Sequence, residues 1–238
     1  PEEVGTPTSS LAEIDSLIDN AIKLKAMPGG QTVAVYKGNI FYQKSFGNHS
    51  YDNYAAAVKQ SDLYDVASVT KVSATLPVVM KAVEERRMDL DGKLNSYLPY
   101  LDGTNKADLV IRDILTHQSG LQAWIPYYQN FYKEQQSGKS LYNDKQDSNY
   151  PNRLLNQPQY LSNTSYLDTD YFSRTRNEKY SIMVSDSLFA TPYVADYVRT
   201  TTDNAELQEK KYRYSDMGLM YMQRVVEAIY NKPLDKLD

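Results

Sequence analysis

The sequence contains no cysteine and only two histidines, His49 and His117. Without cysteine the chain can form neither disulfides nor thiolate metal sites, and the two histidines lie far apart, so we expect no metal. No apolar run approaches the roughly 20 residues of a membrane span. The net charge of −4 provides no basic surface for nucleic acid. We therefore expect no cofactor, no transmembrane segment and no nucleic-acid partner.

Three segments show regular patterns. Ser10 precedes an apolar face of helical spacing and is followed three residues later by Glu13, which predicts a helix with a serine cap. Residues 32–36 and 40–46 alternate around Lys37-Gly38-Asn39, as in a β-hairpin. Residues 218–230 carry an apolar stripe that predicts a final helix.

Residues 122–211 differ from these segments because they are polar, tyrosine-rich and interrupted by prolines. We predict irregular structure here and no internal repeat. Trp124 and the aromatic residues that follow it allow two interpretations: a substrate-contacting wall, or an amphipathic helix that covers the core.

The stretch Ser68-Val69-Thr70-Lys71 carries the strongest chemical signal. Residues three apart share a helix face, so the hydroxyl and the amine can meet locally. An apolar stripe from Val69 to Val83 predicts a buried helix. Pro77 should kink this helix or start a new one, so we place the catalytic turn before it. The alternative is a serine that caps a helix, followed by a solvated lysine.

Four runs in the same order resemble the class C β-lactamase and penicillin-binding serine hydrolase family. The motif Ser-x-x-Lys is the nucleophile signature of such enzymes. The runs are Asp65-Val66-Ala67-Ser68-Val69-Thr70-Lys71, Met88-Asp89-Leu90-Asp91-Gly92, Ile111-Arg112-Asp113-Ile114-Leu115-Thr116-His117-Gln118-Ser119-Gly120-Leu121 and Tyr212-Arg213-Tyr214-Ser215-Asp216-Met217-Gly218.

The resemblance implies an α/β (α+β) fold of the β-lactamase/DD-peptidase type. A small antiparallel sheet flanked by helices is expected beside a mostly helical lobe. Residues 1–53 would hold the first helix and hairpin. Residues 54–238 would hold the catalytic helix and the tyrosine-rich insertion. The resemblance also treats His117 as part of a structural turn.

The resemblance further implies that Ser68 is the nucleophile and that Lys71 and Tyr214 form its proton network. The residues do not decide between two candidates for the base. An alcohol nucleophile needs a base, and either the Lys71 amine, if its pKa is lowered, or the Tyr214 phenolate can act as one. Asp216 stands where the family usually has asparagine. A carboxylate there accepts a hydrogen bond from Lys71 but cannot donate one to substrate, and it repels anionic ligands. Alternatively, Asp216 is protonated or caps a helix.

The family's third motif, a Lys-Thr-Gly or His-x-Gly strand, has no counterpart before Asp238. We therefore expect a truncated form of a longer protein whose sheet lacks its C-terminal strands. Further fused domains or a second chain would complete that sheet.

Two functions follow from this pattern. The first is a bacterial, periplasmic or cell-envelope serine hydrolase that forms an acyl-enzyme on an ester or amide, with a small molecule or cell-wall peptide as substrate. The second is an inactive binding module, such as an accessory domain of a cell-envelope glycoside hydrolase. Retention of Ser68, Lys71 and Tyr214 favours the first.

Overall fold

A computed structural model of the chain describes residues 1–2, 5–154 and 158–237. It comprises two compact units, Pro1–Ala67 and Ser68–Asp238. Both contain helices and small antiparallel sheets, which confirms the predicted fold class. The predicted domain boundary after residue 53 stays a prediction.

The first unit contains α1 (Thr8–Lys23), β1 (Gly29–Tyr36) and β2 (Asn39–Gly47). The strands form the predicted hairpin, and both turn residues are left-handed, with φ of 49° at Lys37 and 82° at Gly38. Such a two-residue turn matches the twist of its strands. The Tyr42 hydroxyl on β2 donates to the Asp15 carboxylate on α1 at 2.6 Å, which ties the helix to the hairpin.

The predicted serine cap of α1 was wrong. The helix begins at Thr8 after Pro7, and no side chain at the cap position accepts a hydrogen bond. Pro7 has an extended backbone, with φ −62° and ψ 136°. The helix therefore begins at Thr8, before Ser9 and Ser10. The Thr8 amide donates instead to the Glu2 carboxylate at 3.0 Å.

The second unit has its core around the C-terminal helix. It contains a π-helical turn (Lys71–Thr75) and the helices α2 (Leu76–Glu84), α3 (Ile111–Leu115), α4 (Pro192–Asn204) and α5 (Asp216–Tyr230), together with short 3-10 helices at Leu94–Ser96, Pro99–Leu101, Tyr127–Phe131 and Leu234–Lys236. Tyr221, Met222 and Val225 of α5 are fully buried and pack in one cluster with residues of α2 and α3. Each such side chain contributes about 1.5–3 kcal/mol by leaving water.

The predicted stripe on the catalytic helix is only partly buried. Val79 is 2% exposed, but Val69, Val72 and Met80 are 56%, 60% and 62% exposed. The π-helical turn before α2 is wider than an α-helical turn, so Val69 and Val72 do not stay in line with Val79.

The tyrosine-rich segment is more regular than predicted. Thr191 and Pro192 start α4, since proline is compatible with a first helical turn. Among the described residues of this segment, the strands before α4 are β3 (Tyr132–Glu134), β4 (Tyr142–Asn143), β5 (Asn152–Arg153), β6 (Tyr160–Leu161), β7 (Ser165–Leu167), β8 (Phe172–Ser173), β9 (Ile182–Ser185) and β10 (Leu188–Ala190).

Two segments share one strand arrangement, although the sequence shows no internal repeat. Strands β4 to β6 and strands β8 to β10 each form a three-stranded sheet whose third strand lies in the centre. Leu161 pairs with residues of both outer strands, and Ala190 occupies the same place in the second sheet. We name these the first hairpin unit (residues 140–154 and 158–161) and the second hairpin unit (residues 169–190).

The turns of the two hairpin units share one hydrogen-bond pattern. Asp147 accepts the amides of the second and third residues after it, and Asn177 does the same. The hydroxyl of Tyr150 then donates to the Ser140 carbonyl at 2.8 Å, as that of Tyr180 donates to the Thr169 carbonyl at 2.6 Å. The two segments thus repeat a backbone design with little common sequence.

Candidate active site

Ser68 and Lys71 lie where the chain enters the π-helical turn. Lys71 is its first residue, and its amide donates to the Ser68 carbonyl at 3.1 Å. The Lys71 ammonium donates to the Ser68 hydroxyl oxygen at 3.0 Å. The predicted meeting of alcohol and amine is therefore present.

Pro77 accounts for the shape of this turn. It has no amide hydrogen for the bond to the carbonyl four residues before it, and its ring would crowd that carbonyl. The Leu76 amide bonds to the Lys71 carbonyl, one residue further back than in an α-helix. The wider turn places Lys71 before α2, as the predicted kink required.

Asp216 forms an ion pair with Lys71. Its Oδ1 atom lies 2.8 Å from the Lys71 Nζ, at the first residue of α5. Burial lowers the pKa of Lys71, but its interactions with Asp216 and then with Tyr214 outweigh burial, so the pKa of Lys71 is raised above its usual value. Lys71 is accordingly an ammonium at neutral pH and a poor proton acceptor.

Tyr214 lies beside Lys71. The centre of its ring is 5.5 Å from the Lys71 Nζ, and its side chain is 44% exposed. Although Tyr214 is far from Ser68 in sequence, the fold places its ring beside the amine that contacts the Ser68 hydroxyl.

His117 holds the segment that carries Tyr214. The His117 carbonyl accepts the Arg213 amide at 2.8 Å, and the His117 Nδ1 accepts the Ser215 amide at 3.2 Å. These donors flank Tyr214, whose ring centre lies 4.5 Å from that of His117. The family resemblance assigned His117 only to a structural turn. It did not indicate that the side chain adjoins the site.

The protonation of His117 follows from the same contacts. Burial, and then the positive charge of Lys71, lower the pKa of His117 below its usual value of 6.5. The ring is therefore neutral at pH 7. Because Nδ1 accepts the Ser215 amide, the proton resides on Nε2. His117 also has a left-handed backbone, with φ of 59°, which is uncommon for a residue other than glycine.

The loop after His117 supports α5. The Ser215 hydroxyl donates to the Gln122 carbonyl at 2.6 Å, and the Asp216 amide donates to the Ala123 carbonyl at 3.1 Å. Gly120 allows this path, since its φ is 81° and an added Cβ would lie 2.5 Å from the Gln208 carbonyl oxygen.

The aromatic residues after this loop do not form a long amphipathic helix, and their role as a wall beside the site stays a prediction. Residues Tyr127–Phe131 are a single 3-10 helix in which only Phe131 is buried. The ring centre of Trp124 is 6.1 Å from that of Tyr128, which is 6.3 Å from that of Tyr132. This row of half-buried rings begins at Trp124. The preceding residue, Ala123, accepts the hydrogen bond of the Asp216 amide through its carbonyl.

A cavity of about 280 Å³ opens beside the three side chains. Four aliphatic residues line its apolar part: Val72, Leu76, Leu115 and Leu219. Ser68, Lys71, His117 and Tyr214 line the rest. Within residues 1–2, 5–154 and 158–237, no three His, Cys, Asp or Glu side chains are grouped as metal ligands. Over the same residues, no helix has the length and apolar character needed to cross a membrane.

Comparisons with known proteins agree with this architecture. Residues 14–237 match the family model described as Beta-lactamase. An N-acetylmuramyl-L-alanine amidase of Bacillus subtilis (strain 168) is 25% identical over 242 residues, covering 96% of this chain and 43% of the amidase.

Two solved structures share the fold. A class C beta-lactamase matches with a TM-score of 0.58 and 15% identity, over 97% of this chain and 47% of that one. FmtA from Staphylococcus aureus matches with a TM-score of 0.52 and 16% identity, over 92% of this chain and 44% of FmtA. The chain thus spans less than half the length of these relatives.

Proposed function

Because this chain belongs to the Beta-lactamase family, we propose that it is part of a serine hydrolase in which Ser68 forms an acyl-enzyme. The observation that carries the proposal is the contact of 3.0 Å between the Lys71 ammonium and the Ser68 hydroxyl, with Asp216 bound to the same ammonium. A serine attacks a carbonyl only when its proton is removed and the oxygen is stabilised.

Tyr214 is the proton acceptor in this proposal. Lys71 is held as an ammonium, so it donates to the Ser68 oxygen and favours the charge that develops there. The step requires Tyr214 in its deprotonated form: as Ser68 bonds to the substrate carbonyl carbon, its proton passes to the Tyr214 oxygen. When the bond to the leaving group breaks, Tyr214 returns that proton to the leaving oxygen or nitrogen. Water then releases the acyl group by the reverse sequence.

The proposed substrate class follows from the name of a relative. The Bacillus subtilis relative is named for the amide that it cleaves, N-acetylmuramyl-L-alanine. We assign to this protein an ester or amide of the cell wall as substrate and the bacterial cell envelope as its location. Since the chain spans under half of that relative, the activity is assigned to the full-length protein.

A fluorophosphonate probe tests the proposal directly. The full-length protein is labelled, digested and analysed by mass spectrometry, with Ser68→Ala and Ser73→Ala as variants. Ser73 is a matched control because it is also exposed and bonds only to the Val69 carbonyl. An adduct on Ser68 that survives Ser73→Ala supports the hydrolase. Absence of any adduct on Ser68 favours the binding module instead.

A further inference from the structure

We propose that the second hairpin unit holds a binding site for a small carboxylate that carries an apolar group. The site is a cavity of about 450 Å³ bounded by residues of β7, β8 and β10. Its described lining residues differ from those of the cavity beside Ser68. The volume lies within the range of small-molecule sites, and the inference does not depend on the proposed hydrolase function.

One part of this cavity is apolar and held in place by neighbouring groups. Three apolar side chains line it: Leu167, Phe172 and Leu188. The ring of Phe172 packs edge-on against that of the buried Phe131, with ring centres 5.5 Å apart. Tyr180 lines the cavity too, and its hydroxyl donates to the Thr169 carbonyl at 2.6 Å, which fixes the ring. An aliphatic or aromatic group can therefore enter a largely preformed apolar surface.

Another part of the cavity presents hydrogen-bond donors. Arg174 is the only charged residue among the described lining residues, and no carboxylate of the described chain lies within 4.0 Å of its guanidinium. The neighbouring Ser173 oxygen accepts the Thr175 amide at 3.0 Å, which leaves its own O–H free to donate. The planar fork of an arginine matches the two oxygens of a carboxylate. The lining thus combines a cation with an apolar surface and suits a carboxylate that carries an apolar group.

The first hairpin unit shows how the same backbone is closed at this place. The strand pairing makes Asp144 the counterpart of Arg174 and Gln159 the counterpart of Leu188. In the first unit the Gln159 amide donates to the Asp144 carboxylate at 3.4 Å, which joins the two positions. Leucine and arginine cannot form such a bond, and the cavity of the second unit lies beside them. The two units therefore differ at this place in charge and in the space left for a ligand.

The experiment compares the binding of N-acetyl-L-leucine and of its uncharged amide, N-acetyl-L-leucinamide, to the full-length protein. Saturation-transfer NMR titrations are recorded near neutral pH, where the carboxylate is ionised. A ligand of about a dozen heavy atoms should bind in the millimolar range. We expect the carboxylate to bind about tenfold or more tightly than the amide, as a hydrogen bond between charged groups allows.

Arg174→Gln should bring the two affinities close to each other. Arg176→Gln is the matched control, because Arg176 is also exposed but is not among the lining residues, and it should keep the wild-type preference. The double variant Arg174→Asp, Leu188→Gln places the residue types of the first unit in the second and should abolish binding. Equal affinities in the wild type, no saturable binding, or a preference that survives Arg174→Gln overturns the inference. Equal loss of preference in both arginine variants indicates general attraction by surface charge and overturns it as well.

Discussion

His117 accepts hydrogen bonds from the residues on both sides of Tyr214, and its ring lies 4.5 Å from the ring of that tyrosine. The phenol is thereby fixed through the backbone of Arg213 and Ser215. Ser215 is 2% exposed, so its amide has little access to water if the Nδ1 acceptor is lost.

His117→Ala should reduce the rate of Ser68 labelling by about tenfold and destabilise the protein by roughly 1–3 kcal/mol, the cost of a buried unpaired group. His117→Asn should recover much of both, because asparagine tolerates the left-handed backbone and offers an acceptor. Labelling rates and urea unfolding measure these effects. His49→Ala is the control. Equal loss with alanine and asparagine would contradict a positioning role.

Asp216→Asn should change the pH dependence of labelling. The bond to Asp216 raises the pKa of Lys71 against the effect of burial, so its removal lets the pKa fall. In the wild type, the ammonium persists up to a pH above the ordinary Lys71 value of 10.5. The variant should therefore lose activity at a lower alkaline pH.

The pH profile of the second-order labelling rate measures this shift, with Asp91→Asn as the control. The same contact stabilises the folded state below pH 10.5 and ceases to do so as pH rises through the raised pKa of Lys71. If the labelling rate falls at the same alkaline pH in Asp216→Asn and in wild type, this role of Asp216 is contradicted.

β-Lactams should be poor substrates, because they carry a carboxylate and Asp216 presents a negative charge where the resembling enzymes have an amide. Nitrocefin hydrolysis by the full-length protein should be slow. Acylation by a labelled penicillin should increase in Asp216→Asn. Rapid nitrocefin turnover that Asp216→Asn does not alter would refute this expectation.

Tyr150→Phe and Tyr180→Phe should each loosen one hairpin unit and leave the other unchanged. Each substitution removes a hydroxyl that bonds a backbone carbonyl, at 2.8 and 2.6 Å, which is worth about 1 kcal/mol. Hydrogen exchange should quicken in residues 140–154 and 158–161 for the first variant and in residues 169–190 for the second. Uniform faster exchange in both units would show that they are not independent structural repeats.

Local features of the fold could be predicted from the sequence. The hairpin follows from Lys37-Gly38, where glycine tolerates positive φ, and the final helix ends at Asn231, which is left-handed with φ of 51°. The contact of Ser68 with Lys71 also depends on short-range spacing.

Other features depend on residues distant in sequence and could not be derived from local patterns. The approach of Tyr214 to Lys71 was expected only from the family resemblance. The hydrogen bond from the Ser215 amide to His117 had no sequence signal. The hairpin units repeat backbone pairing, which alternating residue types cannot reveal when the strands are two to four residues long.

The proposed cooperation of three side chains can be measured by a mutant cycle on fluorophosphonate labelling. Rates are compared for wild type, Lys71→Ala, Tyr214→Phe and the double variant. If Lys71 and Tyr214 move the Ser68 proton as one unit, each single substitution costs about 10²-fold or more and the double variant is little worse than either. Additive losses, or a Tyr214→Phe variant as fast as wild type, would contradict the account.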